Sequence, residues 1–360
     1  MTHIEKLIAA MKKNEIEAVL VSSEINQRYL TGFAFSDGYV LVTQSKAWLL
    51  TDFRYEEAAQ AAVDTEAFEI ICPKEGHRRA IKRLLDEAGI TSCAVEAATL
   101  PLHDYQVFGK VLEGITLTAE ASTLIDELRL YKDEGEIAKM QAAQDLADAA
   151  FTHILDYINP DRTEIDVALE LEFFMRAHGA ECVSFETIAV SGSASSLPHG
   201  VPRPVKLEKG FFTMDFGARV DGYCSDMTRT VVIGKADEEM RHLYDTVLRA
   251  QTAALDAAAV GASLSGLDKI ARDIIDNAGY AGRFGHSLGH GVGMYIHESP
   301  RLAYSTPADE VLKPGHVVTF EPGIYLVGKY GCRIEDMVAV KPDGTIHNFT
   351  HSPKHLIELC

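Results

Sequence analysis

The residues best placed to do chemistry lie in Phe211–Ile233, FFTMDFGARVDGYCSDMTRTVVI. Two apolar, β-branched and aromatic runs flank Asp221-Gly222, a strong short-range signal for a hairpin with a two-residue turn. With that turn, Val220 faces Tyr223, Asp226 lies opposite Gly217, and Asp215 stands two residues farther along the strand of Gly217. Side chains alternate faces along a strand, so Asp215 and Asp226 project from one face as diagonal neighbours. A bulge would change that register. Two carboxylates on the apolar body of a sheet repel each other and lose hydration. Positive charge must compensate them. Arg219 and Arg229 are one source, and a divalent metal is the other.

More donors follow. The runs VVTFEPGIYL and CRIEDMVAV, separated by VGKYG, supply Glu321 and Glu335 at a spacing similar to the first pair. FGHSLGHGVGMYIHE carries His286 and His290, four apart, with His297 and Glu298 after them. Spacing by four puts both histidines on one face of a helix, but Gly285, Gly289, Gly291 and Gly293 disfavour a helix here. A strand or loop with only one of these histidines on metal is the better reading. A lone histidine is usually structural. His199, His286, His290 and His297 each adjoin Gly, Pro or Glu, which tips the group toward function. Four carboxylates and one imidazole suit two divalent ions that share bridging carboxylates. Oxygen-rich ligation favours Mn²⁺, and Co²⁺, Fe²⁺ and Zn²⁺ also fit. Such a pair lowers the pKa of a bridging water and clamps both sides of a hydrolytic transition state. It needs no serine or cysteine nucleophile, and the chain has no GxSxG elbow.

The elements that position these residues begin after an N-terminal region of different character. Residues 1 to 125 alternate strand patterns (EAVLV, GYVLVT, AWLLTD, FEIIC, CAVEA) with helical ones (RYEEAAQAAV, HRRAIKRLLDEAG, DYQVFGKVL). That alternation predicts an α/β layered domain, without a glycine-rich phosphate loop. A long charged helix, LRLYKDEGEIAKMQAAQDLADAAFTHILDYI, follows a boundary placed near Asp126. Residues 126–360 then read as an internal duplication. INPDRTEIDV and VGASLSGLDK each end one helix and start the next, with Thr or Ser three residues before an acid in a capping-box-like pattern. Hairpin-like strands follow each helix pair, so two α/β halves would each offer two carboxylates to one central site.

Composition narrows the class. The chain has 360 residues, 47% hydrophobic and 24% charged, which favours two domains with sizeable cores. A net charge of −19 disfavours nucleic acid and anionic membrane as partners. The first residues read as an amphipathic helix and a strand without a signal-peptide pattern, and no run reaches the length of a membrane span. Cys72, Cys93, Cys182, Cys224, Cys332 and Cys360 are scattered without a CxxC, which reads as reduced thiols in a cytoplasmic protein. Cys224 and Cys332 read as small packing residues in strands.

Together, MDFGARVDGYCSDMTRT, GHSLGHGVGMYIHE, TFEPGIY and CRIEDMVAV resemble the metal-binding blocks of the pita-bread metallopeptidases. SFETIAVSGSASSLPHG, with His199, resembles a block of the proline-specific branch; TDFRYEEAA and KDEGEI resemble its N-terminal domain and junction. The resemblance covers essentially the whole chain, and its combined spacing is more specific than any one block. It implies an α+β architecture: an N-terminal α/β, creatinase-like domain over 1–125 and a C-terminal pita-bread catalytic domain over 126–360. It implies that Asp215 chelates one metal, Asp226 and Glu335 bridge both, and His290 and Glu321 hold the second. Glu321 also matches the general base. His199 and His297 match histidines that contact substrate or stabilise the oxyanion. His286 and Arg333 match groups that orient the ligands; a salt bridge from Arg333 to Glu335 or Asp336 is compatible with that. Arg301 reads either as a partner for a substrate carboxylate or as a surface arginine. The implied activity is Xaa-Pro aminopeptidase on proline-containing peptides, with Xaa-Pro dipeptidase (prolidase) as the alternative. The implied assembly is a homodimer. A methionine aminopeptidase usually lacks the large N-terminal domain. A creatinase or a non-catalytic pita-bread module would have lost metal acids that this chain keeps.

Overall fold

The computed structural model describes residues 1–341 and 343–359, so Cys360 lies outside the described residues; the other five cysteines are free thiols. Contacts divide the chain into two compact units, Met1–Arg129 and Leu130–Cys360. In chain order the first unit carries α1 (His3–Lys13), β1 (Ala18–Val21), α2 (Glu24–Thr31), β2 (Tyr39–Thr43), β3 (Ala47–Leu50), α3 (Glu56–Ala62), β4 (Glu69–Ile71), α4 (His77–Glu87), β5 (Ser92–Val95), α5 (Leu102–Val111), β6 (Thr116–Thr118) and α6 (Ala121–Arg129). The sheet order is β4-β3-β2-β1-β5-β6. β2 runs antiparallel to β1 and β3, and every other neighbour is parallel. Parallel strands covered on both faces read as continuous apolar runs, and all four residues of β1, AVLV, are buried. Leu20, Leu41, Trp48 and Leu50 pack with Ile81, Leu84 and Leu85 of α4 and Phe108 of α5.

The sequence reading of residues 128–158 as one helix is corrected here. α6 runs through residues 125 and 126 and ends at Arg129; α7 (Glu134–Tyr157) begins five residues later. The reason is local. Asp133 caps α7, accepting from Glu136 N at 3.1 Å while Glu136 accepts from Asp133 N at 2.9 Å.

The second unit continues with α8 (Glu164–Ala177), β7 (Cys182–Val183), β8 (Ile188–Ser191), β9 (Gly210–Phe216), β10 (Ala218–Val220), β11 (Tyr223–Cys224), β12 (Met227–Ile233), α9 (Glu238–Asp256) and α10 (Leu264–Ile275). It ends with β13 (Gly289–Gly291), β14 (Glu298–Leu302), β15 (Val317–Phe320), β16 (Gly323–Leu326), β17 (Tyr330–Arg333), β18 (Asp336–Val340), β19 (Ile346–Asn348) and β20 (Glu358–Leu359). The main sheets are β20-β12-β9-β8 and β14-β13-β15-β18-β19. Around Asp215 the pairing is antiparallel on both sides. Phe212, Met214 and Phe216 of β9 pack with Phe151 of α7 and Leu171 of α8, so the alternate residue Asp215 faces the other way. α9 and α10 back the second half through Leu243, Val247, Leu267 and Ile275.

The halves share one plan. Thr163, the cap of α8, bridges to Lys206, and Ser263, the cap of α10, bridges to Val311. Thr163 forms the expected box with Asp166. The box expected from Ser265 and Asp268 is absent: Ser263 is the cap, receiving Gly266 N at 3.3 Å, and Asp268 is buried on other duties. Among the described residues, no helix is long and apolar enough to cross a membrane.

Candidate active site

The first hairpin turns at Asp221 (φ 47°) and Gly222 (φ 84°), the two positive angles that a type I′ turn needs. Val220 pairs with Tyr223, and farther along Phe216 pairs with Met227 and Asp215 with Thr228, all in one register. The ladder breaks at Gly217, where a Cβ would lie 2.0 Å from Ser225 O. There Ser225 Oγ accepts from Ala218 N at 3.0 Å and donates to Ala143 O of α7 at 3.2 Å. In the second hairpin Gly323 pairs with Arg333 and Phe320 with Asp336, which sets Glu321 opposite Glu335 at the break between the two ladders. Asp226, Glu321 and Glu335 thus sit where a hairpin changes sheets, while Asp215 stands one residue inside the end of β9, paired with Thr228 and Ile188.

Asp226, His290 and Glu335 meet, with Glu321 beside His290 and Asp215 on the same cleft. Ligand atoms of Asp226, His290 and Glu335 lie within 4.8 Å of one another. His290 Nε2 is 3.5 Å from Asp226 Oδ2 and 3.4 Å from Glu321 Oε1. His290 Nδ1 faces Gly291 O at 3.0 Å; a carbonyl only accepts, so Nδ1 carries the proton and Nε2 its lone pair. That lone pair looks at two carboxylates. Glu335 Oε1 and Asp215 Oδ1 are buried with no hydrogen-bond partner. Burial, reinforced by Glu335, Asp215 and Glu321, holds the Asp226 carboxyl well above the usual range. Burial does the same to Glu335, with Glu321 and Asp215 adding to it. Glu321 is pushed up to about 8, first by burial, and burial takes His290 down to about 3. A site of converging acceptors, orphaned oxygens and strained carboxylates fits divalent cations.

Arg333 supplies the protein's own positive charge. It is buried and donates from Nη2 to Asp215 Oδ2 at 2.6 Å, from Nη1 to Tyr325 OH at 2.8 Å and from Nε to Thr228 Oγ1 at 3.0 Å. Burial opposes its charge, yet Tyr325, Asp215, Glu321 and Glu335 outweigh that and raise its pKa further. Thr228 passes the contact on, donating to Glu335 Oε2 at 2.7 Å. This corrects two sequence readings. Arg333 pairs with Asp215, while Asp336 is held by Arg229 at 2.9 Å and Lys354 at 2.6 Å. Arg229 therefore compensates neither Asp215 nor Asp226, and Arg219 lies on β10, between Cys182 and Cys224 in the small sheet.

His286 lies outside the donor cluster. Its Nδ1 faces Ser287 O and its Nε2 faces Tyr325 OH, both at 2.9 Å, so it steadies the tyrosine that Arg333 also touches. Burial, then Arg333, lowers it to about 4. His297 meets His290 edge to face at 4.4 Å between ring centres, and burial followed by Arg301 lowers its pKa. His199, His297 and Arg301 line a cleft of about 610 Å³ that opens onto the donors. Its apolar wall includes Phe185, Ile188, Pro202 and Ile296. Thr187, also on the wall, has a buried hydroxyl without a partner.

Sequence reasoning missed the residues that hold the loops. Glu164, fully buried at the start of α8, accepts from Ser191 N at 2.7 Å, Arg203 N at 2.9 Å and Arg203 Nη2 at 2.6 Å, closing the loop that carries His199. Asp268 of α10 accepts from Leu288 N and Arg272 Nε, each at 2.9 Å, and Arg272 donates to His286 O at 2.9 Å. A capping pattern hides such an acid, because the same letters serve either purpose. Tyr325 stood in plain view beside Glu321 in FEPGIY.

A mixed-sheet unit followed by a duplicated antiparallel unit, with acids from two broken hairpins at one buried point, defines a pita-bread hydrolase. Residues 138–342 match Metallopeptidase family M24 and residues 3–131 match the Creatinase/Prolidase N-terminal domain; the chain belongs to that metallopeptidase family. It is 41% identical, over 99% of both chains, to the uncharacterized peptidase YqhT of Bacillus subtilis. An Xaa-Pro dipeptidase from Bacillus anthracis superposes with a TM-score of 0.93 at 40% identity over 99% of each chain. An X-Pro aminopeptidase from Thermotoga maritima gives 0.91 at 34% identity, over 98% of this chain and 100% of that one.

Proposed function

We propose that this chain hydrolyses the peptide bond between an N-terminal residue and a penultimate proline, as an Xaa-Pro aminopeptidase. The observation that carries this is the convergence of Asp215, Asp226, His290, Glu321 and Glu335 at the floor of a cleft walled by His199 and His297. Those five are the proposed holders of two divalent ions, with Mn²⁺ favoured by the oxygen-rich set. When bound, the ions supply Lewis acidity and lower the pKa of a water at the site.

The chain's own groups do the rest. Glu321, in its ionised form, takes the proton of the attacking water and hands it to the departing proline nitrogen. That nitrogen belongs to a tertiary amide and has no N–H, so substrate must be held through its free amine, the proline ring and the scissile carbonyl. The apolar wall suits the ring. His297 is neutral near pH 7, since burial depresses its pKa, and so offers one N–H to the carbonyl oxygen as it turns negative. His199 stands on the same cleft as a second donor. Arg333 and His286 keep Asp215 and Tyr325 in place.

A second reading, Xaa-Pro dipeptidase, is favoured by Arg301. It lines the cleft and its guanidinium is a ready partner for the C-terminal carboxylate of a dipeptide. The deciding experiment compares Xaa-Pro with Xaa-Pro-Yaa-Zaa on Mn²⁺-loaded protein, for wild type and Arg301→Ala. The aminopeptidase reading expects the longer peptide to be cut at least as well and Arg301→Ala to leave it unaffected. The dipeptidase reading expects turnover of the dipeptide alone, with KM raised in Arg301→Ala. Protein that ignores proline at the second position defeats both.

A further inference from the structure

Two residues in the blocks that carry the family resemblance have no part in the reaction above: Lys132 of the KDEGEI junction and Glu298, directly after His297. They meet in the interior. Lys132 Nζ donates to Glu298 Oε2 at 2.9 Å, with the side chains 1% and 7% exposed. An ion pair so fully desolvated is a weak source of stability, because both charges have lost their water. Its geometry shows another use.

Glu298 closes a loop on itself. Its Oε1 accepts from Tyr295 N at 3.0 Å, and Gly293 N donates to Tyr295 O at 3.0 Å. Gly293 leaves room for the carboxylate: a Cβ there would lie 2.5 Å from Glu298 Oε2. Gly291 pairs with Glu298 across an irregularity in the ladder; the segment between them is tied at its start, Val292 N donating to Val317 O at 3.2 Å and Cys224 N to Gly293 O at 2.8 Å, and leaves the sheet beyond. His297 rides on that excursion with its ring 4.4 Å from His290. Lys132 is itself anchored, its N donating to Gly315 O at 2.8 Å.

We propose that the Lys132–Glu298 pair is the positioning device for His297, holding the 291–298 loop closed so that the imidazole stands at the scissile carbonyl. The inference rests on the reading of His297 as the hydrogen-bond donor to that carbonyl. Removing the ammonium leaves Glu298 buried without it; the carboxylate turns toward water, and the loop and His297 go with it.

The test is a double-mutant cycle on the full-length, metal-loaded protein with an Xaa-Pro-Yaa substrate: wild type, Lys132→Met, His297→Ala and both together. Melting temperature and metal content are recorded for each. Lys132→Met is expected to lower kcat about ten- to hundredfold, the scale of a misplaced catalytic group, with metal content unchanged and KM within about threefold. In the His297→Ala background the same change is expected to cost less than about threefold, because the group it positions is gone. Lys132→Met with Glu298→Gln, which leaves no buried charge and keeps an acceptor for Tyr295 N, is expected to recover kcat to within about tenfold of wild type. A Lys132→Met loss of equal size in both backgrounds overturns the inference, as does a loss that follows metal content. Wild-type kcat in His297→Ala overturns the reading beneath it instead. If Lys132→Met does not fold, Lys132→Met with Glu298→Leu, which leaves neither charge of the pair nor an acceptor for Tyr295 N, takes its place in the cycle with the same expectations.

Discussion

Asp226 and Glu321 show what the site demands of single side chains. Burial and neighbouring carboxylates hold both well above their ordinary range, so in metal-free protein each carboxylate works against folding. The sign follows from proton counts. Between about pH 4.5 and about 8 the folded state keeps the Glu321 proton that the unfolded state has lost, so stability falls as pH rises through that window. Chelator-treated protein is therefore expected to melt at lower temperature at pH 8 than at pH 6. Saturating Mn²⁺ should reverse this, by about 2.7 kcal/mol at a hundredfold excess over Kd. A melting temperature indifferent to both would contradict the electrostatics described. Asp226→Asn should lose bound metal by elemental analysis, yet melt no lower than wild type once both are metal-free, because a repelling charge is gone. Two tightly bound ions in that variant would remove Asp226 from the ligand set. For catalysis, Glu321→Gln is expected to lower kcat more than His297→Ala, which should cost roughly ten- to a thousandfold. The reverse order would move proton transfer away from Glu321.

At the scale of elements, close backbone approach explains the glycines at the site. Gly217 and Gly289 have no room for a side chain: a Cβ would lie 2.0 Å from Ser225 O and 1.9 Å from Thr319 O. Both obstacles are backbone and cannot step aside. Gly217→Ala and Gly289→Ala should each destabilise the fold by about 1–3 kcal/mol or more and displace Asp226 or His290. Denaturant midpoints together with metal content check this, and a variant normal in both would show that the ladders can slide apart freely. Arg229 makes the complementary case. It is 1% exposed and holds Asp336, and Arg229→Met leaves that acid short of its main partner, a change of about 3–5 kcal/mol. Chemical denaturation measures it; a loss under 1 kcal/mol would mean that Lys354, Gln251 and Asn348 suffice. The turn at Asp221-Gly222 and the register of both strands were legible, because a type I′ turn has a local chemical signature. The break in each hairpin was not, because it depends on which strands from elsewhere in the chain pair with each part of the hairpin. The split between α6 and α7 was hidden by a charged, helix-forming stretch that looks continuous until Asp133 is recognised as a cap.

For the whole molecule, we propose a homodimer, as the family resemblance implies. Light scattering at assay concentration should give about twice the chain mass, and a fully active monomer would overturn the proposal. The duplicated plan of the second unit was visible in part, through matched helix starts and paired acids at similar intervals. The sequence alone determined the alternation of strands and helices in the N-terminal domain, the two hairpins, the four acids and the reading that only one of His286 and His290 joins them, since glycines disfavour the helix that would have united both histidines. All of these rest on local propensity and on period-two alternation, which travel with the residue letters. Only the tertiary structure decided which cation answers which acid. Arg333 turns to Asp215 rather than to its neighbours Glu335 and Asp336, and Arg229 crosses to Asp336. It also assigned Glu164 and Asp268 to loops far from them in sequence. The reason is physical: a buried charge takes the partner that shares its dry environment, and that environment is built by segments more than a hundred residues apart, as for Arg333 and Asp215.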